Sequence, residues 1–354
     1  MSGRLLVMAD GRSVHTERWC AYFESEGFET ALFSLEPVTI SCPAIIYQGK
    51  RPTNQGLIDY WLARKYFLQI VDEVKPDIIS AHYVNSYGWL ASHCETCPIV
   101  ATAWGSDLLI LPDKLSLHRR RIQKALDHAA YCTVDNKNLA DAAKRFIPEE
   151  KIVRIVMGID EAFFTNVQKT DYRKGGPIKI LAPRGLQTVY DPMTIIKAVE
   201  KINTDYEFHI TMLGKSPEAD EINAKLKEMR LTDHIIVSGM MPHGEYIKTI
   251  GDFDIYLSAS LSDSTSVALL EAMSVGLYPI VSDIPGNQEW ISHEENGLLF
   301  EPKNSTALAS VLDKAMAMPS FEAAARINRK IVKSDGIWQD NMGRISKLYL
   351  ELMR

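Results

Sequence analysis

Two acids eight residues apart, Asp263 and Glu271, sit in the stretch DIYLSASLSDSTSVALLE, whose surroundings could give them chemistry to do. The apolar run ending at Leu257 reads as a strand and the small polar residues after it as a loop. A helix is expected from about Ser264 with Asp263 as its N-cap. Ser264, Thr265 and Ser266, followed by Val267, leave the first backbone N–H groups of that helix uncrowded, which suits a phosphate. A spacing of eight is about two helical turns, so both carboxylates would lie along one face. Leu269, Leu270, Ala272 and Met273 mark the helix as largely buried, where an ionised Glu271 is costly without a partner. A nucleotide ribose would be such a partner; a plain cap and an ion-paired helix residue are the other reading.

The longer segment SDSTSVALLEAMSVGLYPIVSDIPGNQEWI resembles the E-x7-E region of the family-4 glycosyltransferases, retaining enzymes of the GT-B fold, and especially their bacterial and archaeal surface-polysaccharide branch. The segments at 152–160 (IVRIVMGID), 182–186 (APRGL), 237–242 and 296–300 (NGLLF) extend the resemblance over nearly the whole chain. It implies that Glu271 binds ribose hydroxyls and that Asp263 contacts the donor sugar. Arg184 is implied at the donor diphosphate, where a fixed positive charge stabilises binding and the developing leaving group. The family's lysine five residues later is Val189 here, beside Tyr190, and Lys215 of LGKSPE is a weak substitute.

On the other side of the expected cleft, Gly11 resembles the family's N-terminal loop that meets the donor phosphates, a glycine letting backbone approach closely; turn duty alone is the other reading. His15 and Arg18 of SVHTERW would line the cleft, with helix capping or core contact equally open. Asp107 ends ATAWGSD, which resembles a segment near acceptor and donor sugar; Trp104 stands where many members carry a histidine. His82 in SAHYVNSYG offers a polar group at another strand end. Met240 and Met241 fall where the family packs the base, or serve as core filling. Asn287, and Glu289 beyond it, sit in a loop that could reach sugar or acceptor. The expected catalytic set is therefore Asp263, Arg184, Asp107 and His82, and the expected acceptor side is His15, Arg18, His82, Trp104 and Asn287.

These residues must be carried by elements at strand ends. From Arg4 to Ala9 the chain reads as strand, then helix over 16–26, strand over 29–35, helix over 58–74, strand over 77–81, helix over 88–94 and strand over 99–102. Strands at 131–134 and 153–156 flank a helix at 138–146, and a polar break follows at 165–176 (TNVQKTDYRKGG). The alternation restarts with strands at 178–182, 207–213, 235–237, 255–257 and 278–281, and helices between and after them. The pattern predicts an α/β protein of two doubly wound Rossmann-like domains facing across a cleft, the GT-B arrangement. Residues 1–165 would form the acceptor domain and 166–337 the nucleotide-sugar donor domain, with a terminal helix at 338–354 packing back on the first.

A chain of 354 residues suits two domains, and 46% hydrophobic with 24% charged residues is ordinary for a globular protein. The net charge of −6 argues against a nucleic-acid partner. With no secretory leader pattern and no run of about 18 apolar residues, a cytoplasmic protein is expected. The five cysteines suit reduced thiols, and Cys94, Cys97 and His93 lack the further ligands of a zinc site. Lys114, Arg119, Arg120, Arg121 and Lys124 lie among Leu115, Leu117 and Ile122 on one basic amphipathic helix, which would suit an anionic membrane surface or a charged acceptor, or be a solvated face. The resemblance implies retaining transfer from a nucleotide-diphosphate sugar, UDP by family habit, to a saccharide or lipid-linked acceptor, without metal or cofactor. A nucleotide-sugar epimerase of the same fold and a non-catalytic nucleotide-sugar-binding partner subunit are the alternatives.

Overall fold

Strands such as Ile78–His82 and Tyr278–Ser282 are buried at every position. Strands without a polar side belong inside parallel sheets covered on both faces. The computed structural model, which describes residues 3–166, 169, 176–203, 205–215 and 217–354, contains two such sheets. The first comprises β1 (Arg4–Met8), β2 (Glu29–Ser34), β3 (Ile45–Gln48), β4 (Ile78–His82), β5 (Ile99–Thr102), β6 (Tyr131–Val134) and β7 (Ile152–Arg154), in the order β3-β2-β1-β4-β5-β6-β7. The second comprises β8 (Ile178–Ala182), β9 (Phe208–Leu213), β10 (Ile235–Ser238), β11 (Ile255–Ser258), β12 (Tyr278–Ser282) and β13 (Leu298–Phe300), in the order β10-β9-β8-β11-β12-β13. Every pairing between these strands is parallel.

Strand order reverses between β1 and β4 in the first sheet and between β8 and β11 in the second. At such switch points neighbouring crossovers leave to opposite faces, and a crevice opens beyond the strands' carboxyl ends. The loops that follow β1, β4, β8 and β11 are therefore the places where each sheet can hold a ligand.

One compact unit takes the chain through Ile155 together with Met342–Arg354, and the other takes Val156–Asn341. The divisions thus fall at 155/156 and 341/342 rather than at the expected 165/166 and 337/338. Val156, Ile159 and Phe163 are buried in one cluster with Leu269, Leu270 and Met273, and Ile159 exchanges backbone hydrogen bonds with Gly336 (2.7 Å) and Trp338 (2.8 Å). Most of the expected linker at 165–176 lies outside the described residues. In the first unit, Tyr349 of the helix Trp338–Leu352 is fully buried. It stacks on Phe23 at 5.1 Å and donates to Ser80 Oγ at 2.7 Å.

Besides the strands β3 and β13, which the sequence pattern does not show, three of the expected helices differ from it. The helix expected over 58–74 divides into Gly56–Leu62 and Arg64–Val74. That expected over 88–94 is a π-turn, Tyr83–Gly88, running into a short helix, Trp89–Ala91. The helix expected from Ser264 begins at Val267 and is capped by Ser266, whose hydroxyl accepts from Leu269 N–H. No described helix is long and apolar enough to cross a membrane.

Candidate active site

In the second unit, β8 delivers Arg184 and β11 delivers Asp263, one on each side of the switch point. The two loops are tied together, Leu261 N–H donating to Val189 C=O at 2.8 Å. Arg184 Nη2 donates to Asp263 Oδ2 at 2.6 Å, and its guanidinium lies 4.7 Å from the centre of the Tyr190 ring. Burial opposes the charge on Arg184, but Tyr256 and Asp263 outweigh it and the pKa is raised. Burial also raises the Asp263 carboxyl, with Arg184 acting against it. Arg184 Nε has no acceptor among the described residues, so this guanidinium, itself mostly buried, keeps a donor for a ligand.

Asp263 is not the helix cap the sequence suggested. Its second oxygen accepts from Ser264 N–H at 3.1 Å and the helix starts three positions later, because the carboxylate turns toward Arg184. Asp263 and Glu271 therefore do not share one helix face. Glu271 is 8% exposed within the helix Val267–Val275. It meets Tyr246, whose pKa is raised first by burial and then by the Glu271 charge. Ser264, buried Thr265 and Ser266 bridge Asp263 to Val267, where the helix's first amides lie ahead of any intrahelical partner. Gly286 packs directly against this loop: a Cβ there would collide with the main-chain carbonyl oxygens of Ser264 and Asp263.

Beyond β9 and β10, Gly214, Lys215, Val237, Ser238, Gly239 and Met240 line a separate pocket of about 310 Å³. Met241 does not join Met240 there; its sulfur accepts from Thr249 Oγ1 at 3.1 Å and it packs on the core. Asn287, expected on the acceptor side, is 3% exposed and donates to Ser282 C=O at 2.8 Å, which makes it a strut of its loop.

In the first unit a pocket of about 650 Å³ opens beyond β1 and β4. His15, His82 and Trp104 line it, with Trp104 tilted against both histidines at ring centres 5.3 Å apart for His15 and 5.7 Å for His82. His82 contacts Ser80 Oγ through Nε2 at 3.2 Å and the edge of Trp19 at 4.6 Å. Burial, then the nearby His15, push its pKa down to about 3. The π-turn Tyr83–Gly88 forms the opposite wall, with Tyr83 at φ +72°, a strained region for a bulky residue.

Three expected residues do not line this pocket. Arg18 lies outside the pocket, near enough to His15 to depress that residue's pKa after burial has done so. Gly11 spends its N–H on Ser34 Oγ (2.9 Å) and is packed under Val38, with 2.7 Å left for a Cβ, so packing rather than phosphate explains the glycine. Asp107 is fully buried and accepts from Val84 N–H at 2.9 Å and Trp104 N–H at 3.1 Å. It braces the π-turn and the tryptophan rather than reaching a reactant.

Sequence reasoning missed Glu36, Arg51, Tyr60, Tyr87, Asn85 and His118 in the same pocket, and Tyr190, Tyr246 and Gly286 around Arg184. It also placed Arg121 on a basic outer face. Arg119 and Arg120 are exposed there, but Arg121 is 7% exposed, turns inward beside Ile122 and Ala125 and lines the pocket. Among the described residues no three His, Cys, Asp or Glu side chains gather as a metal ion would require.

The sequence pattern of "Glycosyl transferases group 1" matches residues 165–333, and that of "Glycosyl transferase 4-like" matches residues 4–136. The chain is 25% identical over 265 residues to N-acetyl-alpha-D-glucosaminyl L-malate synthase of Bacillus anthracis, covering 71% of this chain and 68% of that one. It is 22% identical over 308 residues to an uncharacterised glycosyltransferase of Methanocaldococcus jannaschii, covering 81% and 79%. The match to a Xenopus tropicalis glycosyltransferase 1 domain-containing protein spans about half of each chain, 48% and 49%. Among solved structures, a glycosyltransferase from Rickettsia africae superposes over 100% of this chain and 99% of that one with a TM-score of 0.78 at 15% identity. Anabaena HepE in complex with UDP gives a TM-score of 0.78 at 13% identity, covering 99% and 100%. With both halves matched and the two parallel sheets in place, the chain belongs to the family-4 glycosyltransferases of the GT-B fold.

Proposed function

We propose that the protein transfers a sugar, with retention of configuration, from a UDP-linked donor to a saccharide or lipid-linked acceptor in polysaccharide or glycoconjugate synthesis. The observation that carries this reading is the part-buried Arg184–Asp263 pair at the β8/β11 switch point, with Glu271 four residues into the adjoining helix. The donor diphosphate would take the free Arg184 Nε–H and the amides at the start of the helix Val267–Val275, where the helix dipole also favours an anion. Glu271 would exchange its contact with Tyr246 for the ribose hydroxyls, and the pocket at Lys215 and Met240 would receive the base. Asp263, fixed by Arg184, would contact the sugar. The acceptor hydroxyl would attack C1 from the face that the diphosphate leaves; the new C–O bond forms as the C–O bond to phosphate breaks, and the departing phosphate oxygen takes the hydroxyl proton. Stabilisation of that oxygen by Arg184 and the helix start is the role a metal would otherwise fill, so we place no metal in the mechanism.

The test is a thermal-shift and hydrolysis screen of UDP-, GDP- and ADP-sugars on the wild type, Glu271→Ala and Arg184→Ala. A UDP-sugar should raise the wild-type melting temperature, and each substitution should weaken its binding by about tenfold or more. Stabilisation that survives both substitutions would sink the assignment. Identifying the product separates transfer with retention from inversion and from epimerisation.

A further inference from the structure

We infer that the pocket of the first unit selects a molecule bearing an anionic group, a carboxylate or a phosphate, and that Arg121 is the residue that selects it. This rests on the transferase reading, for which it names the acceptor class. Arg121 is 7% exposed and lines the pocket, its guanidinium carbon lying 3.8 Å from the centre of the Trp89 ring. Nη2 donates to Leu57 C=O at 2.7 Å, whereas Nη1 has no acceptor among the described residues. No described carboxylate forms an ion pair with it, and burial lowers its pKa with no acid opposing the shift.

The other charges in the pocket are matched within the fold. Arg51 binds Glu36 at 2.8 Å and approaches Asp59 at 3.5 Å, and Asp10 is held by Arg12 at 2.7 Å. Arg121 is the cation left over. A buried guanidinium without a counter-charge is strongly unfavourable, and a bound anion with two oxygens matches its planar fork. His118 stands beside it. His118 Nδ1 lies 3.0 Å from Asn85 Oδ1, and burial followed by the Arg121 charge depresses its pKa. An amide oxygen calls for a donor, so Nδ1 carries the proton; Nε2 then presents a lone pair and becomes a second donor only if the ring takes up a proton, which a bound anion would favour.

The experiment is a calorimetric titration of the full chain with glucuronate, glucose 6-phosphate and glucose, each with and without saturating UDP. The wild type should bind at least one of the two anions about tenfold or more tightly than glucose. Which anion does so tells carboxylate from phosphate. Arg121→Gln should bring the preference close to one, and Arg121→Lys, which keeps the charge but not the fork, should reduce it by about threefold or more. Equal affinity for glucose and both anions in the wild type overturns the inference, as does a preference unchanged in Arg121→Gln or, if that protein does not fold, in Arg121→Lys. The titration without UDP is independent of donor chemistry. An anion preference in a protein that no UDP-sugar stabilises would therefore leave the pocket assignment standing and remove the transferase reading.

Discussion

At the scale of the residue, His82, the last residue of β4, and Asp107, in the short helix Ser106–Leu109 that follows β5, respond to acid in opposite ways. Native His82 stays neutral down to about pH 3, while an unfolded histidine protonates near 6.5. Lowering the pH from about 7 to 5 therefore protonates only the unfolded state at this residue and costs roughly 2 kcal/mol of stability. The Asp107 carboxyl is raised to about 6, by burial against the pull of the Val84 and Trp104 amides. Over the same interval it loses its buried charge and returns roughly 1 kcal/mol. We expect the urea midpoint of the wild type to fall between the two pH values, and His82→Gln to lose less or to gain. Parallel curves for the two proteins would refute the assignment. The sequence showed His82 and Asp107 as polar groups at strand ends, but not which would be braced and which would line a pocket. That choice is made by the π-turn, whose amide at Val84 reaches Asp107. Arg121 was misplaced for a related reason: helical spacing puts it next to both the solvent face and the Ile122 face, and only the Trp89 ring decides between them.

At the scale of the element, the parallel strands were legible because residues buried on both faces leave continuous apolar runs. The exceptions are β3 and β13, which are short. In β3, an edge strand, Ile45 is 67% and Ile46 44% exposed, so no burial pattern betrays it. The start of the helix Val267–Val275 was misread by three residues because three small hydroxyl residues in a row all make good caps, and Ser266 takes the place of Asp263. The loop ahead of that helix depends on Gly286, whose missing Cβ leaves room for two carbonyls of the main chain. Those atoms cannot yield as a flexible side chain would, so Gly286→Ala must displace the Asp263–Ser264 segment. Overpacking of this kind costs about 1–3 kcal/mol. A lowered melting temperature together with a UDP-sugar thermal shift cut by more than half is expected. An unchanged shift would show that the segment does not touch the donor.

At the scale of the whole molecule, the first unit is assembled from two stretches that lie far apart in sequence. Met342, Ile345 and Tyr349 are fully buried. Tyr349→Ala removes a ring stacked on Phe23 and a hydrogen bond to Ser80, a loss of about 3–5 kcal/mol for a large buried aromatic. Urea unfolding should show it in the first unit, and a change under 1 kcal/mol would mean that the helix is dispensable there. Sequence reading anticipated a terminal helix that packs back on the first unit and put the break at the polar stretch 165–176, whereas the units divide at 155/156 and 341/342, Ile159 being tied to Gly336 and Trp338 inside the second.

The split assembly also sets an order of events on the ribosome. The second unit is one continuous stretch and can close as soon as residue 341 has emerged. The first 155 residues are made earlier, yet Phe23 and Ser80 wait uncovered until residues 342–354 arrive. At translation rates of roughly 5–20 residues per second the interval is on the order of ten to forty seconds. For that time the nascent chain exposes an apolar seam that a chaperone would have to shield, and a chain cut before residue 342 would leave it open for good.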